Sequence, residues 1–435
     1  MKYYSTKNKN KFFTFEEAVM KGLADDGGLF MPYEIPLLNN DFFSSIAKRP
    51  LAETAFTVVK DFVGDEIPAA KLEEIIKEAI NFPAPISEFE KNRYLLELFH
   101  GPTLAFKDFG ARFMAKTMGW FAQNRSEELN ILVATSGDTG SAVANGFYNV
   151  PGINVFILYP KGKVSRIQEQ QLTTLDNNIT ALEIEGTFDD CQRLVKKAFL
   201  DPDLQDKLNL SSANSINIAR LLPQMFYYFE AYRQVKNKAL PLVFSVPSGN
   251  LGNLTAGLIA KRMGLPVYKF VSATNRNDVF TQFISTGEFN PRDSVQTISN
   301  AMDVGNPSNL FRITDLYSYS IDEIRNDIYS ETYDDNATRK GIKEIFENTG
   351  FIIDPHGAVG YLALKGYTQK YNMKDFTGII LETAHPSKFK DVVEETIHTP
   401  VPMPDRLAEC LGKKKKSVLL SSNYDDFKDY LLKIS

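Results

Sequence analysis

Apolar positions follow two different rhythms along the chain. In the first part they recur at helical spacing: Lys71 to Ile80 (KLEEIIKEAI) places Leu72, Ile75, Ile76 and Ile80 on one face, which predicts a helix. Pro83 and Pro85 then break the pattern and mark a boundary, so residues 1 to about 92 read as a mainly helical lead-in. From residue 93 onward, short apolar runs alternate with helical stretches. Tyr94–Phe99, Asn130–Ala134, Ile153–Tyr159, Thr180–Ile184, Leu242–Val246, Val267–Ser272 and Gly378–Leu381 read as strands, and Asp190–Phe199 and Leu254–Met263 as helices. Buried β-branched runs alternating with helices predict an α/β protein with mostly parallel sheets. In such sheets ligands sit at the carboxyl ends of the strands, which directs attention to the turns that follow them.

Composition narrows the class. With 435 residues, 43% of them apolar, the chain has material for two or three domains. Its 49 basic and 54 acidic side chains sum to −5, and the one basic run, Lys413–Lys416, reads as a solvated turn or helix face, so no nucleic-acid partner is expected. Cys191 and Cys410 are too few and too far apart for a disulfide framework, a usage that fits a reducing compartment. His100, His356, His385 and His398 are scattered, so no metal is expected. Glu16, Glu17 and Lys21 interrupt any secretory apolar stretch, and no run approaches the ~20 apolar residues of a membrane span. The expectation is a soluble, cytoplasmic enzyme or binding protein without a membrane partner.

Three strand-to-helix turns carry chemistry. Val133–Ala142 (VATSGDTGSA) offers Thr135, Ser136, Gly137, Asp138 and Thr139 at a helix N-terminus, where orphan amides and the helix dipole favour an anion; the alternative is a helix-capping loop with no ligand. Val246–Thr255 (VPSGNLGNLT) combines Gly249 and Gly252 with Asn250, Leu251 and Asn253; it is either a phosphate cradle or a plain turn, and it lacks the third glycine of a dinucleotide fingerprint and the lysine of a Walker loop. Thr383 follows the last predicted strand, where a hydroxyl either reaches a ligand or caps the next helix. Ala105–Met114 (AFKDFGARFM) sets Lys107 among aromatic and small residues. Most lysines are simply exposed, but a buried one has a lowered pKa and acts as a nucleophilic amine. Ser212–Arg220 (SANSINIAR) gathers Asn214, Ser215, Asn217 and the planar guanidinium of Arg220, either a polar loop or an anion site.

Together these pieces resemble the long form of the threonine synthase family, pyridoxal-phosphate enzymes of fold type II, the tryptophan-synthase-β-like group. The similarity spans nearly the whole chain. Leu23–Pro32 (LADDGGLFMP) looks like the family's N-terminal signature, and His100–Met114 (HGPTLAFKDFGARFM) resembles the motif whose lysine, here Lys107, carries the cofactor. Ser248–Asn253 (SGNLGN) resembles the loop for the cofactor phosphate, and Thr135–Ala142 the substrate-contacting loop. Ser212–Gln224 resembles the segment that holds the substrate phosphate. Asn300–Asn309 (NAMDVGNPSN), Asp354–Gly357 (DPHG) and Glu382–Phe389 (ETAHPSKF) are also family-like, with Thr383 placed at the pyridine nitrogen. Many fold type II relatives have asparagine where this chain has Asp138; in threonine synthases the aspartate is usual.

The resemblance implies two open, mostly parallel α/β domains, an N-terminal extension over 1–92 and a catalytic core over 93–435, with one subdomain inserted at about 112–235. It implies pyridoxal 5'-phosphate as cofactor and conversion of O-phospho-L-homoserine and water into L-threonine and phosphate, by γ-elimination followed by β-addition of water, in a monomer or homodimer. The cofactor would be held by Lys107, the 249–253 loop and Thr383. The substrate would be bound by Thr135, Ser136, Gly137, Asp138, Thr139, Asn214, Ser215, Asn217 and Arg220. A dehydratase or β-replacement enzyme of the same fold has no need of a second anion site, so the Arg220 segment discriminates. A catalytically silent relative would not need Lys107, and a nucleotide-binding domain has only the Gly249–Gly252 turn in its favour.

Overall fold

The computed structural model describes residues 1–123 and 125–434. The chain divides into two compact units: a larger one of Met1–Lys2, Met31–Phe106 and Leu221–Pro402, and a smaller one of Tyr3–Phe30, Lys107–Arg220 and Met403–Ser435. Lys107–Arg220, in the smaller unit, falls in the chain between the two longer stretches of the larger one. The first 92 residues are shared between the units, and Met403–Ser435 joins the smaller one.

The larger unit is built on six strands in the order Ile328–Thr332, Val267–Thr274, Leu242–Pro247, Thr377–Glu382, Arg93–Glu97, Ile86–Glu90. All neighbours are parallel except the last pair, which is antiparallel. The central strands are buried along their whole length, as expected for a sheet covered on both faces. Helices Asp335–Thr349 and Pro355–Lys370 cover one face, so that Ile342, Ile345, Val359, Ala363 and Leu364 pack onto Leu95, Val243, Val271 and Ile380.

In the smaller unit five strands are all parallel, in the order Val418–Ser421, Ile179–Glu185, Ile153–Pro160, Leu129–Ala134, Asn209–Ser212. Helix Phe188–Leu200 packs Cys191, Leu194 and Val195 against Leu132, Leu158, Leu182 and Ile184, joined by Phe427 and Leu431 from the C-terminal helix Tyr424–Ile434. Burial pushes the Cys191 thiol up to about 12, so it behaves as a small apolar group.

The predicted strands and helices are present, with ends shifted by one or two residues. The helix predicted at 71–80 is Ala69–Ala79, with Leu72, Ile75 and Ile76 buried. Two features depart from the sequence pattern. The lead-in is mainly helical as expected, but Tyr3–Ser5 and Asn8–Phe13 form an antiparallel hairpin; Asn8–Phe13 (NKNKFF) buries only its last residue and so shows no alternation. Lys413–Lys416 is a turn leading into an extended segment, three of its lysines exposed as read, but Lys415 is half-buried. It binds Glu169 and Glu183 at 2.8 and 2.9 Å, and so fastens the sheet edge to helix Arg166–Thr173.

Candidate active site

In the smaller unit three sequence-predicted pieces come together at the carboxyl end of the sheet. Lys107 is the first residue of helix Lys107–Ala122 and is half-buried. Gly110, one turn on, lies against Arg220: a Cβ there would come within 2.8 Å of the Arg220 carbonyl and 3.0 Å of its Nε. Arg220 is wholly buried and donates to the Ala213 carbonyl at 2.6 Å. Burial pushes its guanidinium down to about 10, and the buried Asp108 carboxylate in the first turn of the lysine helix opposes that shift.

The second piece is the turn after Leu129–Ala134. Thr135 Oγ1 accepts from the amides of Gly137 and Gly140 at 3.0 and 2.8 Å, so this hydroxyl shapes the loop. Helix Asp138–Phe147 begins at Gly137 (φ +141°), which has no side chain to cap it, so the Thr135 hydroxyl takes the Gly140 amide and those of Asp138 and Thr139 lead the helix. Ser136 and Thr139 are half-buried, and Asp138 is buried. Helices that start this way present amides and a positive dipole end to an anion.

The third piece is the 212–220 segment. Leu132 pairs with Ser212 across the sheet, and two residues on, Asn214 Nδ2 donates to the Ala134 carbonyl at 3.0 Å. The segment is thereby tied to the strand end that opens into the 135–139 turn. Asn214 and Ser215 are partly exposed. Asn217 has a different place: its buried Nδ2 donates to the carbonyls of Val19 at 2.8 Å and Ser212 at 3.2 Å, and its Oδ1 accepts from Ala219 N at 2.9 Å. Both amide hydrogens are committed to backbone, so Asn217 supports the segment and has no donor left for a ligand.

In the larger unit, Leu242–Pro247 and Thr377–Glu382 are parallel neighbours with Ser245 opposite Ile380. Their pairing ends there, and the two strands run on to Ser248 and Thr383 at the sheet's carboxyl end. Leu251 sits in the left-handed region (φ +61°) and caps helix Gly252–Arg262. A branched residue there is strained, and such strain concentrates at functional sites. Asn253 braces the turn, accepting from Ser248 Oγ at 2.6 Å and donating to the Pro247 carbonyl at 2.8 Å. Asn250 is held from outside: its Oδ1 accepts from Ser308 N at 2.6 Å, and its carbonyl from Asn309 Nδ2 at 2.9 Å. The Thr383 carbonyl accepts from Phe106 N at 2.8 Å, and no protein hydrogen bond engages its hydroxyl among the described residues.

Comparison with known proteins adds a second line of argument. One family model, described as threonine synthase N terminus, matches residues 2–80; a second, pyridoxal-phosphate dependent enzyme, matches 84–382; a third, threonine synthase, C-terminal, matches 357–431. The threonine synthase of Haemophilus influenzae is 45% identical over 438 residues, covering 100% of both chains. The chain belongs to the threonine synthase family. The crystal structure of threonine synthase from Escherichia coli superposes with a TM-score of 0.93 at 42% identity, over 100% of both chains. The pyridoxal-phosphate-bound threonine synthase from Brucella melitensis gives 0.92 at 34% identity, over 99% of this chain and 98% of that one. Like the family, this chain is a fold type II pyridoxal-phosphate-dependent lyase that forms threonine.

The residues fit that cofactor on their own geometry. At Gly249 a Cβ would lie 2.7 Å from Met302 Cα, so only glycine lets the turn close as it does. The helix amides beyond Leu251 suit a phosphate, and the uncommitted Thr383 hydroxyl suits a ring nitrogen. Among the described residues no cluster that could hold a metal is present, and no helix is long and apolar enough to cross a membrane.

The histidines of the threonine-synthase-like motifs are each tied to neighbouring protein groups. His356 Nδ1 meets Asp354 Oδ1 at 3.0 Å, and its Nε2 accepts from Ala301 N at 3.2 Å, which steadies the 300–302 turn against which Gly249 closes. His100 pairs with Glu97 at 2.8 Å, and His385 Nδ1 accepts from Ser387 N at 3.1 Å. Gln168 is the supporting residue that no motif announced. Buried at the third position of its helix, it donates to Asp138 Oδ1 at 2.9 Å and leaves no room for a Cβ on Gly137. Its sequence signal is only the capping box formed with Ser165. Gln168→Ala is expected to lower stability by about 1–3 kcal/mol, because a buried carboxylate loses a donor. Differential scanning calorimetry measures this, and an unchanged Tm would contradict it.

Proposed function

We propose that the substrate is O-phospho-L-homoserine and that the residues above divide the work as follows. Lys107, Gly249, Asn250, Leu251, Gly252, Asn253 and Thr383 hold pyridoxal phosphate. That group, when bound, supplies an electron sink for charge developing on the amino acid's carbons. The Lys107 amine is the general base and acid, taking protons from Cα and Cβ of the substrate and returning protons to Cγ and Cα. Thr135–Thr139 bind the amino-acid carboxylate with the amides at the start of helix Asp138–Phe147, while Thr135 and Asp138 fix the shape of that turn.

Asn214 and Ser215 hold the γ-phosphate, with Arg220 behind them supplying positive charge as the Cγ–O bond breaks. Asn217 positions this segment. Loss of phosphate and addition of water at Cβ balance as O-phospho-L-homoserine plus water giving L-threonine plus phosphate. The observation that supports this reading most is Asn214 tied to Ala134 with Arg220 buried beside the first turn of the lysine helix. It sets a second anion-holding segment next to the amine that moves the protons. A dehydratase acting on a hydroxyl leaving group has no use for it.

Arg220→Lys tests the assignment. It keeps the charge but loses the planar fork, so KM for O-phospho-L-homoserine should rise about tenfold or more while cofactor affinity changes little. An unchanged KM, or a loss confined to cofactor binding, would contradict the assignment.

A further inference from the structure

Asp354 and Glu382 place two carboxyl groups inside the larger unit, 0% and 1% exposed. Glu382 ends the strand Thr377–Glu382, immediately before Thr383, and Asp354 caps helix Pro355–Lys370. The two meet through the Asp354 amide, which donates to Glu382 Oε1 at 2.7 Å. Around them the donors are unevenly shared. Asp354 Oδ1 accepts from the Gly357 amide at 2.9 Å, from the His356 amide, and from His356 Nδ1 at 3.0 Å. Glu382 has the single amide of Asp354. One oxygen of each group, Asp354 Oδ2 and Glu382 Oε2, is buried with no hydrogen-bond partner. Gly357 packs so closely that a Cβ there would overlap Glu382 Oε2.

Among the described residues no lysine or arginine pairs with either carboxyl group. The charged neighbours acting on Glu382 are Asp354 and Glu97, both negative. Glu97 lies opposite Glu382 on the adjacent strand and is itself held by His100 and Ser87. His356 accepts the Ala301 amide at Nε2 and so meets Asp354 through Nδ1. Two ionised carboxylates in such a place are prohibitively costly, and one proton removes the cost. Asp354, with three N–H donors at a helix N-terminus, is the better supplied of the two. Burial and the Asp354 charge push the Glu382 carboxyl well above the usual carboxylate range.

We propose that Glu382 is a neutral carboxylic acid in the folded enzyme and a positioning residue for Thr383, anchoring that strand end to helix Pro355–Lys370 without bringing a negative charge to it. The functional part of this inference rests on the reading of Thr383 as the ring-nitrogen partner. A hydroxyl partner suits an unprotonated ring nitrogen. A carboxylate one residue away would pull a proton onto that nitrogen and change what the cofactor can do. Keeping Glu382 neutral keeps the pocket suited to a hydroxyl.

Infrared spectroscopy of the holoenzyme at neutral pH tests the protonation directly. A carboxylic-acid carbonyl stretch that shifts in D2O should be present in the wild type, persist in Asp354→Asn and be absent in Glu382→Gln. As a neutral isostere, Glu382→Gln should fold, with the cofactor absorption maximum unchanged and kcat within about threefold of wild type. Glu382→Asp should shift that maximum and lower kcat more than the glutamine does, because the shorter side chain cannot reach the Asp354 amide. Absence of the infrared band in wild type, its survival in Glu382→Gln, or a Gln variant that fails to fold or loses more than about tenfold in kcat would overturn the proposal. Thr383→Val separates the two readings. If it leaves the cofactor spectrum unchanged while the infrared band remains, the role of Thr383 and the positioning claim fall together, and the neutral acid stands alone.

Discussion

Lys107→Ala is expected to abolish turnover and the visible absorption of lysine-bound cofactor together. The substitution removes the nucleophilic amine that carries pyridoxal phosphate and the base that moves protons on the substrate carbons. General acid–base catalysis alone contributes roughly 10²–10⁴-fold, and losing the covalent anchor adds to that. The fold should survive, because Lys107 begins its helix and is half-buried, whereas the residues after it, Asp108, Phe109 and Gly110, are the buried ones. Steady-state assay and an absorption spectrum of the purified variant check both halves. Retained turnover would dismiss Lys107 as the catalytic lysine. Lost turnover with an unchanged lysine-bound spectrum would place the covalent link elsewhere.

Gly249→Ala should produce the next largest effect, on cofactor affinity. The added methyl would meet the Met302 backbone, with Cα at 2.7 Å and the carbonyl carbon and oxygen at 3.1 Å, and no flexible side chain there can give way. Either the 248–253 turn or the 300–302 turn must move. Overpacking of this kind costs about 1–3 kcal/mol. If the strain falls on the phosphate-binding turn, the dissociation constant for pyridoxal phosphate rises roughly ten- to hundredfold. Titrating the apoenzyme with the cofactor measures it. Unchanged affinity together with an unchanged Tm would show that the turn does not hold the phosphate.

Much of the candidate site is legible along the chain because its polar and glycine-rich stretches cluster at strand ends. Lys107 and Thr135–Thr139 in the smaller unit, and Gly249–Asn253 and Thr383 in the larger, each follow an apolar run that the pattern marks as a strand, and each parallel sheet gathers its own turns at its carboxyl end. The supporting residues were less legible, because their partners lie far away in sequence. Asn217 looks like any other asparagine in SANSINIAR until its amide is found bridging the carbonyls of Val19 and Ser212. Gln168 lies in a polar helix, thirty residues beyond Asp138. Edge strands were hidden for another reason. Asn209–Ser212 (NLSS) and Asn8–Phe13 carry too few apolar residues for either alternation or a buried run, and their pairing comes from backbone hydrogen bonds that any sequence can make. The division into units was hidden as well, since residues 3–30 and 403–435 pack with the 107–220 stretch across long gaps in the chain.

The most direct test is to incubate the cofactor-loaded enzyme with O-phospho-L-homoserine and measure phosphate and threonine in the same samples. Equal release of both is the expected result, since γ-elimination and hydration at Cβ are halves of one reaction. Phosphate accompanied by 2-oxobutyrate in place of threonine, or no phosphate from an enzyme with its lysine-bound cofactor intact, would contradict the account.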